Sequence, residues 1–149
     1  MTSRTWRARG FTLIEMLAVT VIASALASIA IPSLQRAVEH ARVARAIGDI
    51  RALQIELDAL DSLPPSLDDI GRGSLRDPWQ HPYRYAPFPA GPAPPGARTD
   101  RFGVAVNTRY DLYSAGKDGL TSAPLTAGAS LDDVVRASDG GYIGLASKF

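Results

Sequence analysis

The 21 residues from Phe11 to Ile31 carry one charged side chain, Glu15, and no other feature constrains the chain as strongly. Wound as an α-helix, the run would be about 31 Å long, the thickness of a bilayer hydrocarbon core. Ahead of it lies a leader with Arg4, Arg7 and Arg9 and no acid. Arginines on a short flank keep that flank cytoplasmic. Three of the chain's 16 basic residues sit in this leader, leaving 13 against 15 acids, so the net charge of +1 averages a basic leader and a weakly acidic remainder. Such a remainder lacks the basic face of a nucleic-acid binder, and no nucleic-acid partner is expected. A chain of 149 residues without cysteine supports one modest core and no disulfide framework, thiolate nucleophile or cysteine zinc site.

A secretory signal peptide and a permanent single-span anchor would both begin this way. Ala23-Ser24-Ala25 and Ala25-Leu26-Ala27 offer small-residue cleavage sites, so one reading is a periplasmic calcium-binding module released by signal peptidase. Glu15 suits neither plain reading, because an acid near the start of an apolar span costs on the order of 1–3 kcal/mol. The run Arg9-Gly10-Phe11-Thr12-Leu13-Ile14-Glu15-Met16-Leu17 resembles the cleavage and methylation motif of type IV pilins and type II secretion pseudopilins. The resemblance implies that a prepilin peptidase cuts between Gly10 and Phe11, N-methylates Phe11, and leaves Glu15 as the fifth residue of the mature chain, where it serves assembly. A new amine at Phe11 stays protonated beside an acid. Glu15 can meet it within its own chain or on a neighbouring subunit, and in the second case a misdocked subunit leaves both charges unpaired.

Pro32 removes a backbone donor, so a kink or locally melted turn is expected there. Beyond it Leu34, Val38, Val43, Ile47, Ile50, Leu53, Leu57 and Leu60 recur at spacings of three to five, with charged residues mainly between them. The pattern predicts one amphipathic helix ending near Asp61, where Leu63-Pro64-Pro65 stops it. From Phe11 to Asp61 it would span about 75 Å, and lateral packing with copies of itself is the obvious use for such a stalk. The chain therefore divides into a leader (1–10), a transmembrane or filament-core helix (11–31), an amphipathic helix (32–62) and a β-rich region (63–149).

In the last region Ser66 to Ile70 predicts a capped helical turn. Asp77-Pro78-Trp79-Gln80-His81-Pro82-Tyr83 resembles the Asp-Pro-Trp-Gly-Asn-Pro-Tyr segment of major pseudopilins, with Gln80 and His81 replacing Gly-Asn. Strands are expected at Tyr83–Ala86, Phe102–Val106 and Tyr110–Tyr113, and the proline-rich Pro87–Gly96 as an exposed loop. The fold class is α+β: a long N-terminal helix on a small antiparallel sheet, which the resemblance makes a pilin-like fold.

Tyr110-Asp111-Leu112-Tyr113-Ser114-Ala115-Gly116-Lys117-Asp118-Gly119 is similar to a major-pseudopilin segment whose loops enclose calcium. The resemblance implies ligation by the carbonyls of Leu112 and Ser114 and the side chains of Asp118, Asp132 and Asp133, with Asp139 as a substitute and Asp111 a weaker one. Five protein groups and water can supply the six to eight oxygens calcium prefers. The residues by themselves specify only turns, and their spacing does not follow an EF-hand.

No enzymatic pattern emerges. His40 and His81 belong to no nucleophile or metal arrangement, Gly71-Arg72-Gly73 lacks the partners of a phosphate loop, and Arg42, Arg45 and Arg51 read as a solvated or intersubunit stripe. The resemblance implies a structural subunit of the type II secretion pseudopilus. It would sit in the bacterial inner membrane as a single-pass protein with its C-terminal region in the periplasm. It would polymerise with copies of itself and other pseudopilins on an inner-membrane platform and so drive export through the outer membrane. A minor pseudopilin or type IV pilus subunit is the alternative within the family.

Overall fold

A computed structural model describes residues 10–149. The leader expected at residues 1–10, with its three arginines, lies outside the described residues except for Gly10. Helix α1 spans Leu13–Asp58, and the chain divides into two compact units, Met1–Glu39 and His40–Phe149.

In the first unit every residue from Gly10 to Val38 is exposed, and α1 is long and apolar enough to cross a membrane. The few hydroxyls of the apolar run bond back to their own helix: Thr20 to the Leu17 carbonyl at 2.9 Å, Ser24 to Thr20 at 2.8 Å and Ser28 to Ala25 at 2.7 Å. Each hydroxyl donor is thereby satisfied without water, as an apolar medium demands. The melted turn expected at Pro32 does not occur, since helical residues continue on both sides. Proline removes only the donor to the Ser28 carbonyl, and one lost bond does not undo the helix around it.

In the second unit Ala46, Ile50, Leu53 and Leu57 are buried, at the i, i+4, i+7 spacing of one helix face. They pack on Leu67, Tyr83, Tyr110, Leu112 and Val134. Four antiparallel strands in the order β1-β2-β3-β4 form the sheet: Arg84–Pro87, Tyr110–Ser114, Val134–Ala137 and Tyr142–Leu145. Pro87 ends an edge strand, where its missing donor is tolerated. Successive residues of β3 point to opposite faces, yet all four are buried, because both faces are covered. Val134 joins the helix-side cluster, whereas Val135 and Ala137 pack with Val106, Leu125 and Ala146 on the other side.

Polar ties fix α1 to the sheet within this unit. The Tyr83 hydroxyl donates to Asp49 at 2.8 Å and the Tyr110 hydroxyl to Asp58 at 3.1 Å. Burial pushes both phenols above the ordinary tyrosine range, so they stay protonated donors. The turn expected after Ser66 forms at Asp68–Ile70, with Ser66 Oγ accepting from the Asp68 amide at 3.2 Å.

Phe102–Val106, expected as a strand, is instead part of a folded-back loop. Asp100 Oδ1 accepts from the amides of Phe102 at 2.8 Å and Val104 at 2.9 Å, and Gly103 adopts φ +76°. A carboxylate that captures the amides two and four residues ahead makes a turn and competes with extension. Two strands not expected, β3 and β4, make a hairpin around Ser138–Gly141.

Candidate functional site

At the start of α1, Gly10 has open space around it and Phe11 is 79% exposed, so the expected scissile bond lies on accessible chain. Thr12 and Glu15 form a reciprocal cap. The Thr12 amide donates to Glu15 Oε2 at 2.8 Å and its hydroxyl to the same oxygen at 2.7 Å, while the Glu15 amide donates to Thr12 Oγ1 at 3.3 Å. This is a capping box, which satisfies amides that have no intrahelical partner. Glu15 thus has a partner within its own helix, and that partner is Thr12. The sequence contained this signal as Thr-x-x-Glu ahead of an apolar run.

The second candidate is the loop between β2 and β3. Leu112 and Ser114 lie inside β2, opposite Tyr85 and Val134 respectively. Ser114 Oγ donates to the buried Asp77 carboxylate at 2.5 Å. Asp77 also accepts from the amides of Trp79 at 3.0 Å and His81 at 2.8 Å, and so organises the tryptophan turn. His81 Nδ1 lies 3.0 Å from the Gly116 carbonyl and so ties that turn to the loop.

The acids expected as ligands take separate partners. Asp118 Oδ1 accepts from the Leu120 amide at 2.8 Å, and Asp132 Oδ2 accepts from the amides of Lys117 at 2.8 Å and Asp118 at 3.1 Å. Gly116 adopts φ +63°, and a Cβ there would meet the Asp132 carbonyl oxygen at 2.5 Å, so Asp132 closes directly over the β2 end. Asp133 turns inward instead. Its Oδ2 accepts from Thr121 Oγ1 at 2.7 Å and from Arg98 Nη2 at 2.5 Å, with both ion-pair partners almost wholly buried. Burial pushes the Asp133 carboxyl up to about 6, against the opposing pull of Thr121 and Arg98. Asp139 is elsewhere, bound to the Thr108 amide at 2.9 Å and hydroxyl at 2.7 Å. Asp111 is held by the Arg98 amide at 2.6 Å and Asn107 Nδ2 at 2.9 Å.

The structure therefore brings Asp118 and Asp132 together and directs Asp133 to a guanidinium. Asp133 Oδ1 is buried with no hydrogen-bond partner among the described residues, a single free oxygen rather than a set. Among the described residues no three acidic or imidazole side chains form a group able to hold a metal. As arranged, these residues do not fit the cage of oxygens that calcium prefers. Arg98, absent from the expected site, is its most connected residue. A single arginine at the end of a proline- and glycine-rich stretch gives no sequence signal of that role.

The helix start is also where a known family matches the chain. The family described as the prokaryotic N-terminal methylation motif matches residues 7–31. The type II secretion system core protein G of Pseudomonas aeruginosa is 32% identical over 136 aligned residues, covering 74% of this chain and 84% of that protein. The chain belongs to the type II secretion core protein G family. Core protein G of Dickeya chrysanthemi is also 32% identical, over 76% of this chain and 80% of its own length. That of Aeromonas hydrophila is 32% identical over 76% and 85% respectively. No solved structure matches the chain significantly. Within this major-pseudopilin family the chain keeps the long helix and small antiparallel sheet as its α+β fold.

Proposed function

We propose that the chain is a structural subunit of a type II secretion pseudopilus. It would be cut between Gly10 and Phe11 by a prepilin peptidase, held in the inner membrane by α1, and polymerised through that helix with copies of itself and other pseudopilins to drive export across the outer membrane. The observation that carries this reading is the first unit, where an apolar helix leaves every side chain from Gly10 to Val38 exposed. Apolar surface of that extent is stable only in lipid or against other helices. The names of the relatives favour the type II system and its major subunit over a type IV pilus or minor subunit.

In this reading Glu15 has two successive partners. Before cleavage Phe11 has no free amine, and the Thr12 hydroxyl and amide occupy the carboxylate. After cleavage an N-methylated ammonium on Phe11 supplies a full charge, in the same chain or the next subunit, and a charged partner outcompetes neutral ones in a low dielectric.

Mass spectrometry of the N-terminus of protein recovered from bacterial membranes tests the proposal. An N-methylated Phe11 is expected, and a start between Ser24 and Ser28 would show a cleaved signal peptide instead. Glu15→Ala is expected to abolish sheared filaments on immunoblots while the protein stays in the membrane fraction. Abundant filaments from that variant would remove the assembly role.

A further inference from the structure

We propose that the Arg98 guanidinium is the resident cation of the β2–β3 loop, so that the loop is closed by a protein side chain and keeps its shape without calcium. Arg98 is 3% exposed. From this one position Nη2 donates to Asp133 at the entrance of β3, and Nη1 donates to the Thr121 hydroxyl and to the Ser122 carbonyl at 2.5 Å in the connector. The guanidinium carbon lies 4.5 Å from the centre of the Tyr113 ring in β2, close enough for a cation–π contact. The Arg98 amide binds Asp111 of β2 and its carbonyl accepts from the Val106 amide at 2.9 Å, so the backbone that presents the side chain is itself anchored.

These contacts join the end of β2, the connector and the start of β3, the three segments a bound cation would have to join. The rest of the loop needs no ion either. The connector from Leu120 to Ser130 has no acid, and Ser130 Oγ closes it by accepting from the Ser122 amide and donating to the Ser122 carbonyl, each at 2.9 Å. A divalent cation brought to Asp133 would stand beside a fixed positive charge in a poorly screened interior, where like charges repel strongly. Planar guanidinium suits this place because its several donors can serve a carboxylate, a hydroxyl and a carbonyl together.

The inference concerns the closure of one loop, and its test reads folding and calcium binding rather than filament assembly. Its test uses the full chain in detergent micelles, unfolded by heat under circular dichroism with excess calcium chloride or with EGTA, alongside calorimetric titration of calcium chloride. Coincident midpoints and no saturable heat are expected for the natural chain. Arg98→Met is expected to lower the midpoint by about 8 °C or more, and Arg98→Lys, which keeps the charge but loses the fork, by less. A midpoint raised by calcium, or saturable calcium heat, would overturn the proposal, as would Arg98→Met and Arg98→Lys melting like the natural chain. If Arg98→Met does not fold, the lysine variant and the calcium titration of the natural chain still decide it.

Discussion

Gln80 adopts φ +76°, a left-handed conformation that a side chain with a Cβ enters at a cost of about 1–2 kcal/mol. Its side chain is exposed, so nothing gained by packing offsets that cost. The turn is imposed by Asp77, whose carbonyl accepts from the Gln80 amide at 3.0 Å while its carboxylate accepts from the amides on either side. Glycine enters this region freely but loses more entropy on folding, which leaves a net gain of roughly 0.5–1 kcal/mol. Gln80→Gly is accordingly expected to raise the thermal midpoint by about 2–8 °C, and Gln80→Ala, which keeps the Cβ, is not. Equal midpoints for the two variants would show that the turn stores no such strain. The same residues mark the limit of reading a site from sequence. Thr12 and Glu15 are local partners at fixed spacing, and their capping box is legible in four letters. Arg98 meets Asp133 across 35 positions of sequence, and no spacing rule links two such residues.

At the scale of elements, α1 was legible because its two determinants are local: an apolar run long enough for a membrane, then an apolar stripe of helical period. The small sheet was legible in half. Tyr110–Ser114 alternates and is bounded by turns, and β1 follows the proline-flanked tryptophan turn, so both were expected nearly where they lie. The β3–β4 hairpin also has a sequence signal, Asp139-Gly140 between two apolar pairs. The placement of Asp133, just before β3, follows from the strand itself. Asp133 and Val135 point to the same side of the chain, so when Val135 packs on the outer face of the sheet its neighbour two residues back is carried onto that face, where Arg98 lies over Tyr113. At Phe102–Val106 a turn replaces the expected strand. Apolar alternation suggested extension, and the turn chemistry of Asp100 and Gly103 overrode it.

For the whole molecule, the burial pattern divides the stabilising interactions unevenly between the two units. No side chain from Gly10 to Val38 is buried, so the unit ending at Glu39 contributes no packed core in water. The unit His40–Phe149 holds both hydrophobic clusters and the Arg98–Asp133 pair, and the helix face it uses begins only at Val43 and Ala46. Of its large exposed apolar side chains, Ile55 stands alone on α1, while others such as Phe102, Val104 and Leu120 belong to loops, so they make no continuous helical face. A chain starting at His40 is therefore expected to be soluble without detergent, to sediment as a monomer, and to melt within a few degrees of the full chain in micelles. The described residues removed are exposed from Gly10 to Val38, and the loss of one helix end costs only about 1 kcal/mol of capping and propensity. Full-length protein, by contrast, is expected to need detergent or lipid, because burying its apolar helix in a membrane or against other helices is the only way to shield that surface. An insoluble or non-cooperatively melting His40–Phe149 chain would mean that the exposed helix supports the folded unit through contacts the burial pattern does not contain. Solubility on its own is not enough, since a partly unfolded chain can also stay in solution. The decisive quantity is the cooperativity of the transition, because it reports whether both faces of the sheet remain packed once the apolar helix is gone.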